Sequence, residues 1–160
     1  MGGHSAGGNT AHHMAIQAGL LQLPPSIMLA GTFLAMPYFL CPSRLESEPE
    51  TTTTSSNFKI WAYVCPNCTA GVDELYVTLG GPGASSLRGL GYGRMMVHIA
   101  QKDELHERDV WYYQQFKESG WPGQVNLVEA KGEKHVFYIL NPDSPNTTML
   151  ILEVAKFLNP

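Results

Sequence analysis

Short apolar runs of strand length alternate along this chain with segments carrying a helix-period apolar face, and Gly or Pro marks most of the changes. Ala11, Met14, Ala15 and Ala18 fall at i, i+3, i+4 and i+7, one face of a helix with Gly19 as its expected stop. Beyond Pro24 and Pro25, residues 26–33 read as a strand buried on both faces. Phe58, Trp61, Ala62 and Cys65 mark a short helix that Pro66 should end. Residues 95–100 read as a second buried strand. Residues 105–119 read as a helix with Val110, Tyr113 and Phe116 or Lys117 on one side and Gly120 as its stop. Residues 125–128 read as a third strand. The last helix is capped by Ser144, carries Pro145 in its first turn and has Ile151, Val154, Ala155 and Leu158 as its apolar stripe. Strands separated by helices require crossover connections. The expected fold class is therefore α/β, a mostly parallel sheet flanked by helices.

Composition narrows the function classes. The chain has 160 residues, 44% apolar and 15% charged, enough to fill one core. Lys plus Arg is 10 against 14 Asp plus Glu, so the basic excess of a nucleic-acid binder is missing. No apolar run reaches the roughly 18 residues of a membrane span. The first basic side chain is Arg44, so no basic n-region of a secretory signal is present. Three cysteines are too few for a disulfide framework. Together these features lead us to expect a reducing, cytoplasmic setting, in which Cys65 and Cys68 bind no zinc and need form no disulfide. Residues 42–93, with the tract Thr51 to Thr54 and many glycines, are expected to be an insertion or loop region within the domain.

Gly3-His4-Ser5-Ala6-Gly7 matches the pattern G-x-S-x-G. Small neighbours let a strand turn sharply into a helix. The serine oxygen then stands above the sheet, and the N–H of the next residue, Ala6, can face a developing oxyanion. The same five residues also fit a flexible tail; the helical face that follows Gly8 favours the elbow. A serine hydrolase of this kind needs an acid and then a histidine later in the chain, each on a loop after a strand. Asp103 follows the strand at 95–100, and His135 follows the strand at 125–128. Either could be ordinary: Asp103 a first-turn helix residue, His135 one of six histidines. Their order and placement together point to Ser5, Asp103 and His135 as nucleophile, acid and base. His12 and His13 are adjacent on a helix and do not make an i, i+4 metal pair.

With these residues in view, the chain resembles the plant carboxylesterases of the hormone-sensitive-lipase-like branch of the α/β-hydrolases. The resemblance rests on the stretch from Gly3 to Ala15, on Pro37-Tyr38-Phe39 and on Ala100-Gln101-Lys102-Asp103-Glu104-Leu105. It continues through Val110-Trp111-Tyr112-Tyr113, Lys117 to Trp121, Gly132 to Phe137, and Asn141-Pro142-Asp143-Ser144. It implies carboxylic ester hydrolysis through an acyl-enzyme, with a small-molecule ester as substrate and with no metal, organic cofactor, nucleic acid or membrane involved. It also implies that residues 1–160 are a partial domain running from the nucleophile elbow to the C-terminal helix. The family's His-Gly-Gly-Gly oxyanion segment and the strand feeding the elbow are not found in these residues. The expectation is that the chain by itself is a weak enzyme and a poor folder. Three alternatives remain: an inactive fragment, a hormone-binding protein like the gibberellin receptors, and a lyase like the isoflavanone dehydratases. His135 speaks against the receptor reading, because the gibberellin receptors lack that base.

Overall fold

The computed structural model describes residues 1–21, 23–40, 44–52, 55–67, 76–79 and 86–159. Among them a four-stranded parallel sheet runs in chain order, β1 (Gly2–His4), β2 (Thr32–Ala35), β3 (Arg94–Ala100) and β4 (Gln124–Ala130). Helices α1 (Ala6–Leu20), α2 (Ser56–Val64), α3 (His106–Glu118), α4 (Phe137–Leu140) and α5 (Pro145–Leu158) connect or follow the strands.

Period-two alternation assigns the two faces of the sheet. Leu34, Met95, Val97 and Ile99 pack with Ala11, Ala15 and Ile16 of α1 and with Tyr112 and Phe116 of α3. Ala35 and Ala100 point the other way, toward Phe137 of α4 and Leu150 of α5. This is the α/β layering that the alternating sequence demands, with helices on both sheet faces.

Several boundaries moved. Residues 26–33 were expected to form the first strand, but β2 is Thr32–Ala35, and Ile27 and Met28 are exposed. The strand feeding Ser5, expected to be missing, exists as β1, because Gly2, Gly3 and His4 pair with Phe33, Leu34 and Ala35. Gly19 does not stop α1. It lies inside the helix, where a Cβ would come within 2.0 Å of the Gly89 carbonyl oxygen, so this glycine permits a close crossing. On α3 the buried side is Arg108, Asp109, Tyr112 and Phe116, not the Tyr113 side. On α5 the cap is as expected, with Ser144 Oγ accepting from the Thr147 N–H, but Leu150 is buried while Ile151 and Leu158 are exposed. Cys65, expected to need no disulfide, is disulfide-bonded. Its partner, and Cys68 itself, lie outside the described residues. No described helix is long and apolar enough to cross a membrane.

Two histidines are buried without charge. His12 shares a hydrogen bond of 3.0 Å with the Tyr112 hydroxyl, and burial lowers its pKa to about 3. His98 lies on β3 beside the Phe137 ring, and burial lowers its pKa to about 4. An unfolded chain protonates both near pH 6.5, so stability declines as pH falls below that value toward the folded pKa values. The expected slope in that window is about 1.4 kcal/mol per pH unit for each histidine. Denaturant titrations between neutral pH and pH 4.5 should show the decline, and His98→Leu should remove its share.

Candidate active site

The site lies where the parallel strands end. Ser5 occupies the single-residue joint between β1 and α1, with φ +48° and ψ −124°. Positive φ at a residue with a Cβ is strained by roughly 1–3 kcal/mol, and the surroundings must hold it. Here the Ser5 N–H donates to the Ala35 carbonyl at 3.0 Å. The Ser5 carbonyl accepts from the N–H groups of Gly8, Asn9 and Tyr38 at 2.9, 3.2 and 3.0 Å. A Cβ on Gly3 would lie 2.2 Å from the Gly7 carbonyl oxygen, and one on Gly8 would lie 3.1 Å from Pro37. A Cβ on Gly7 would meet nothing within 4 Å. The sharp turn therefore depends on Gly3, and Gly8 lets α1 approach the segment after β2. Ala6 is the first residue of α1, so its N–H has no acceptor within the helix.

Asp103 follows β3 and is 8% exposed. Its Oδ1 accepts from the Leu105 N–H at 3.0 Å, and its Oδ2 lies 2.6 Å from Nδ1 of His135. An ionised carboxylate only accepts, so Nδ1 carries the hydrogen and Nε2 is left as the ring's acceptor. The loops bearing the two residues are tied together. The Gln101 N–H donates to the Ala130 carbonyl at 3.1 Å, the Lys102 N–H to the Glu133 carbonyl at 2.7 Å, and the Gly132 N–H to Gln101 Oε1 at 2.8 Å. Gly132, at φ +77°, makes the turn that this pairing needs.

Ser5, Ala6 and His135 line one cavity of about 370 Å³, with Asn9, Tyr38 and Trp61 among the other lining residues. The structure thus brings Ser5, Ala6 and His135 to one cavity and bonds Asp103 to His135. Sequence reasoning did not single out Asn9, Tyr38 or Glu104. Asn9 Nδ2 donates to the carbonyls of Tyr38 and Tyr76 at 3.0 and 2.6 Å, which holds the segment after β2 against α1. Its only signal in the sequence is its place in the stretch from Gly3 to Ala15. Asp109 was also missed. It is fully buried on α3 with neither carboxylate oxygen hydrogen-bonded, and burial together with nearby Asp103 pushes its carboxyl well above the usual range. Among the described residues no group of His, Cys, Asp or Glu side chains could hold a metal ion.

Comparison with known families gives one match to this chain. Its description, alpha/beta hydrolase fold, covers residues 1–139 of this chain. The chain belongs to that family. As an α/β-hydrolase it is 39% identical over 159 residues to a 2-hydroxyisoflavanone dehydratase of Glycyrrhiza echinata, covering 99% of this chain and 48% of that protein. It is 36% identical over 159 residues to probable carboxylesterase 1 of Arabidopsis thaliana, covering 99% of this chain and 49% of the relative. In fold it is similar to a thermostable esterase from Pseudomonas putida, with a TM-score of 0.71 at 21% identity over 95% of this chain and 47% of that one. The chain spans about half the length of the curated relatives it matches.

Proposed function

We propose that this α/β-hydrolase chain carries the machinery for carboxylic ester hydrolysis, with Ser5 as nucleophile, His135 as general base and Asp103 as the residue that orients it. The 2.6 Å contact between His135 Nδ1 and Asp103, at the rim of the cavity that Ser5 lines, carries this reading. With Nδ1 donating to Asp103, Nε2 is free to take the Ser5 proton. Ser5 Oγ then attacks the ester carbonyl, and the oxyanion meets the Ala6 N–H at the helix N-terminus, where the dipole favours negative charge. The protonated His135 gives its proton to the departing alcohol. Water, deprotonated in turn by His135, releases the acid from Ser5. These steps call for no metal and no organic cofactor. The cavity suits a small, neutral ester with an apolar part. Helix α2, which lies inside the expected insertion at residues 42–93, builds one of its walls.

A second reading is supported by the 39% identity to a 2-hydroxyisoflavanone dehydratase. In it His135 would withdraw a proton from the substrate while water is eliminated, and no acyl group would reach Ser5. A fluorophosphonate probe with peptide mass analysis separates the two. Hydrolysis predicts a stoichiometric adduct on Ser5, turnover of 4-nitrophenyl butyrate, and loss of both in Ser5→Ala. No adduct and no ester turnover from a folded chain would overturn it.

A further inference from the structure

We propose that α2 is the wall that limits the size of the ester's apolar part, and that Glu104, beside the triad acid, is the positioning residue that holds this wall. The inference rests on the reading of the Ser5 cavity as an ester site. Asn57, Ile60, Trp61 and Val64 of α2 all line that cavity together with Ser5 and His135. No residue of α2 is buried, and Ile60 and Val64 are 51% and 65% exposed. The helix is held by two sets of contacts. Phe58 and Trp61 pack on the cluster of Tyr38, Leu40, Val77 and Leu105. At its N-terminus, Glu104 Oε2 accepts from Ser56 Oγ at 3.4 Å and from Asn57 Nδ2 at 3.3 Å, and the Tyr38 hydroxyl donates to the Asn57 carbonyl.

A carboxylate at a helix N-terminus is favoured by the dipole. Glu104 therefore joins the acid loop to the first turn of α2. Any displacement of that turn carries Ile60 and Val64 toward or away from the cavity, since one rigid helix bears all of these residues. Those two side chains are apolar, so the group they face is an alkyl or aryl substituent and not a charged one. Apolar pockets discriminate by size at roughly 10–200-fold per methylene.

Two probe series test this. Alkyl fluorophosphonates of increasing chain length report through the rate of Ser5 labelling. Straight-chain 2-alkanones of increasing length report through calorimetric binding, which needs no chemistry at Ser5. Ile60→Trp should slow labelling and weaken binding at least about 10-fold more for the longer members than for the shortest. The double variant Ile60→Ala, Val64→Ala should move the optimum to longer chains. Glu104→Ala should blur the length dependence and raise KM more for long esters than for the shortest, and Glu104→Gln, which can still accept from Ser56 and Asn57, should restore it. Ile60 and Val64 are exposed, so these changes leave the core intact. Length-independent effects in the alkanone series would overturn the wall. Length-dependent alkanone binding with no labelling of Ser5 would uphold the wall and overturn the hydrolase reading.

Discussion

Replacing Asp103 with Asn is expected to lower kcat for ester hydrolysis about 10⁴-fold while the chain stays folded. The Asp103 Oδ2 contact fixes the hydrogen on Nδ1 of His135. An Asn amide that donates to Nδ1 moves the hydrogen to Nε2, where it blocks proton uptake from Ser5. The Leu105 N–H, which now donates to Oδ1 at 3.0 Å, still finds an oxygen in the variant, so the acid loop keeps its shape. Steady-state kinetics beside a thermal unfolding scan checks both halves. A variant within 10-fold of the parent rate would remove Asp103 from the triad.

The second large effect concerns stability. Arg108 on α3 and Glu48 in the segment after β2 are 1% and 2% exposed in their side chains and meet twice, Nε to Oε1 at 2.5 Å and a terminal nitrogen to Oε2 at 2.6 Å. Glu48 Oε2 also accepts from the Leu45 N–H at 2.8 Å, and the Arg108 guanidinium lies 5.4 Å from the Phe58 ring centroid. Breaking such a buried pair leaves an uncompensated charge, a cost of about 3–5 kcal/mol. Arg108→Leu should therefore lower the thermal midpoint by roughly 6–20 °C at this chain size. Glu48→Leu together with Arg108→Leu should recover most of the loss, because a paired apolar replacement is often neutral. Calorimetry of the two variants decides it. A single variant as stable as the parent would mean that the pair holds nothing.

Much of the fold was legible because its strands carry their own signals. Residues 95–100 are continuously apolar but for His98, and β3 runs Arg94–Ala100. β1 was not legible, since Gly2, Gly3 and His4 have no strand propensity; pairing with β2 makes the strand. The α3 face was misread because its buried side includes Arg108 and Asp109, charged residues that no hydrophobic period reports. At the site, pattern and order alone offered Ser5, Asp103 and His135 as candidates; the contact between Asp103 and His135 and the cavity that Ser5 and His135 line appear only in the structure. Glu104 and Tyr38 were not, because their partners on α2 lie 47 and 19 residues away in sequence and leave no local trace. The disulfide at Cys65 runs against a reading from cysteine number alone, which says nothing of which thiols meet in space.

The unequal lengths of the strand pairings bear on how firmly Ser5 is held beside Asp103 and His135. β1 spans three residues and, among the described residues, pairs only with β2, whereas β3 and β4 are joined over seven. Free energies of local opening differ widely within one protein, and elements held by few backbone pairings open early. Ser5 stands at the end of the shortest ladder, while His135 and Asp103 sit beyond the longest. In rising denaturant Ser5 should therefore leave Asp103 and His135 before the core melts, so labelling of Ser5 by a fluorophosphonate, in the function proposed above, is lost at a lower concentration than core fluorescence.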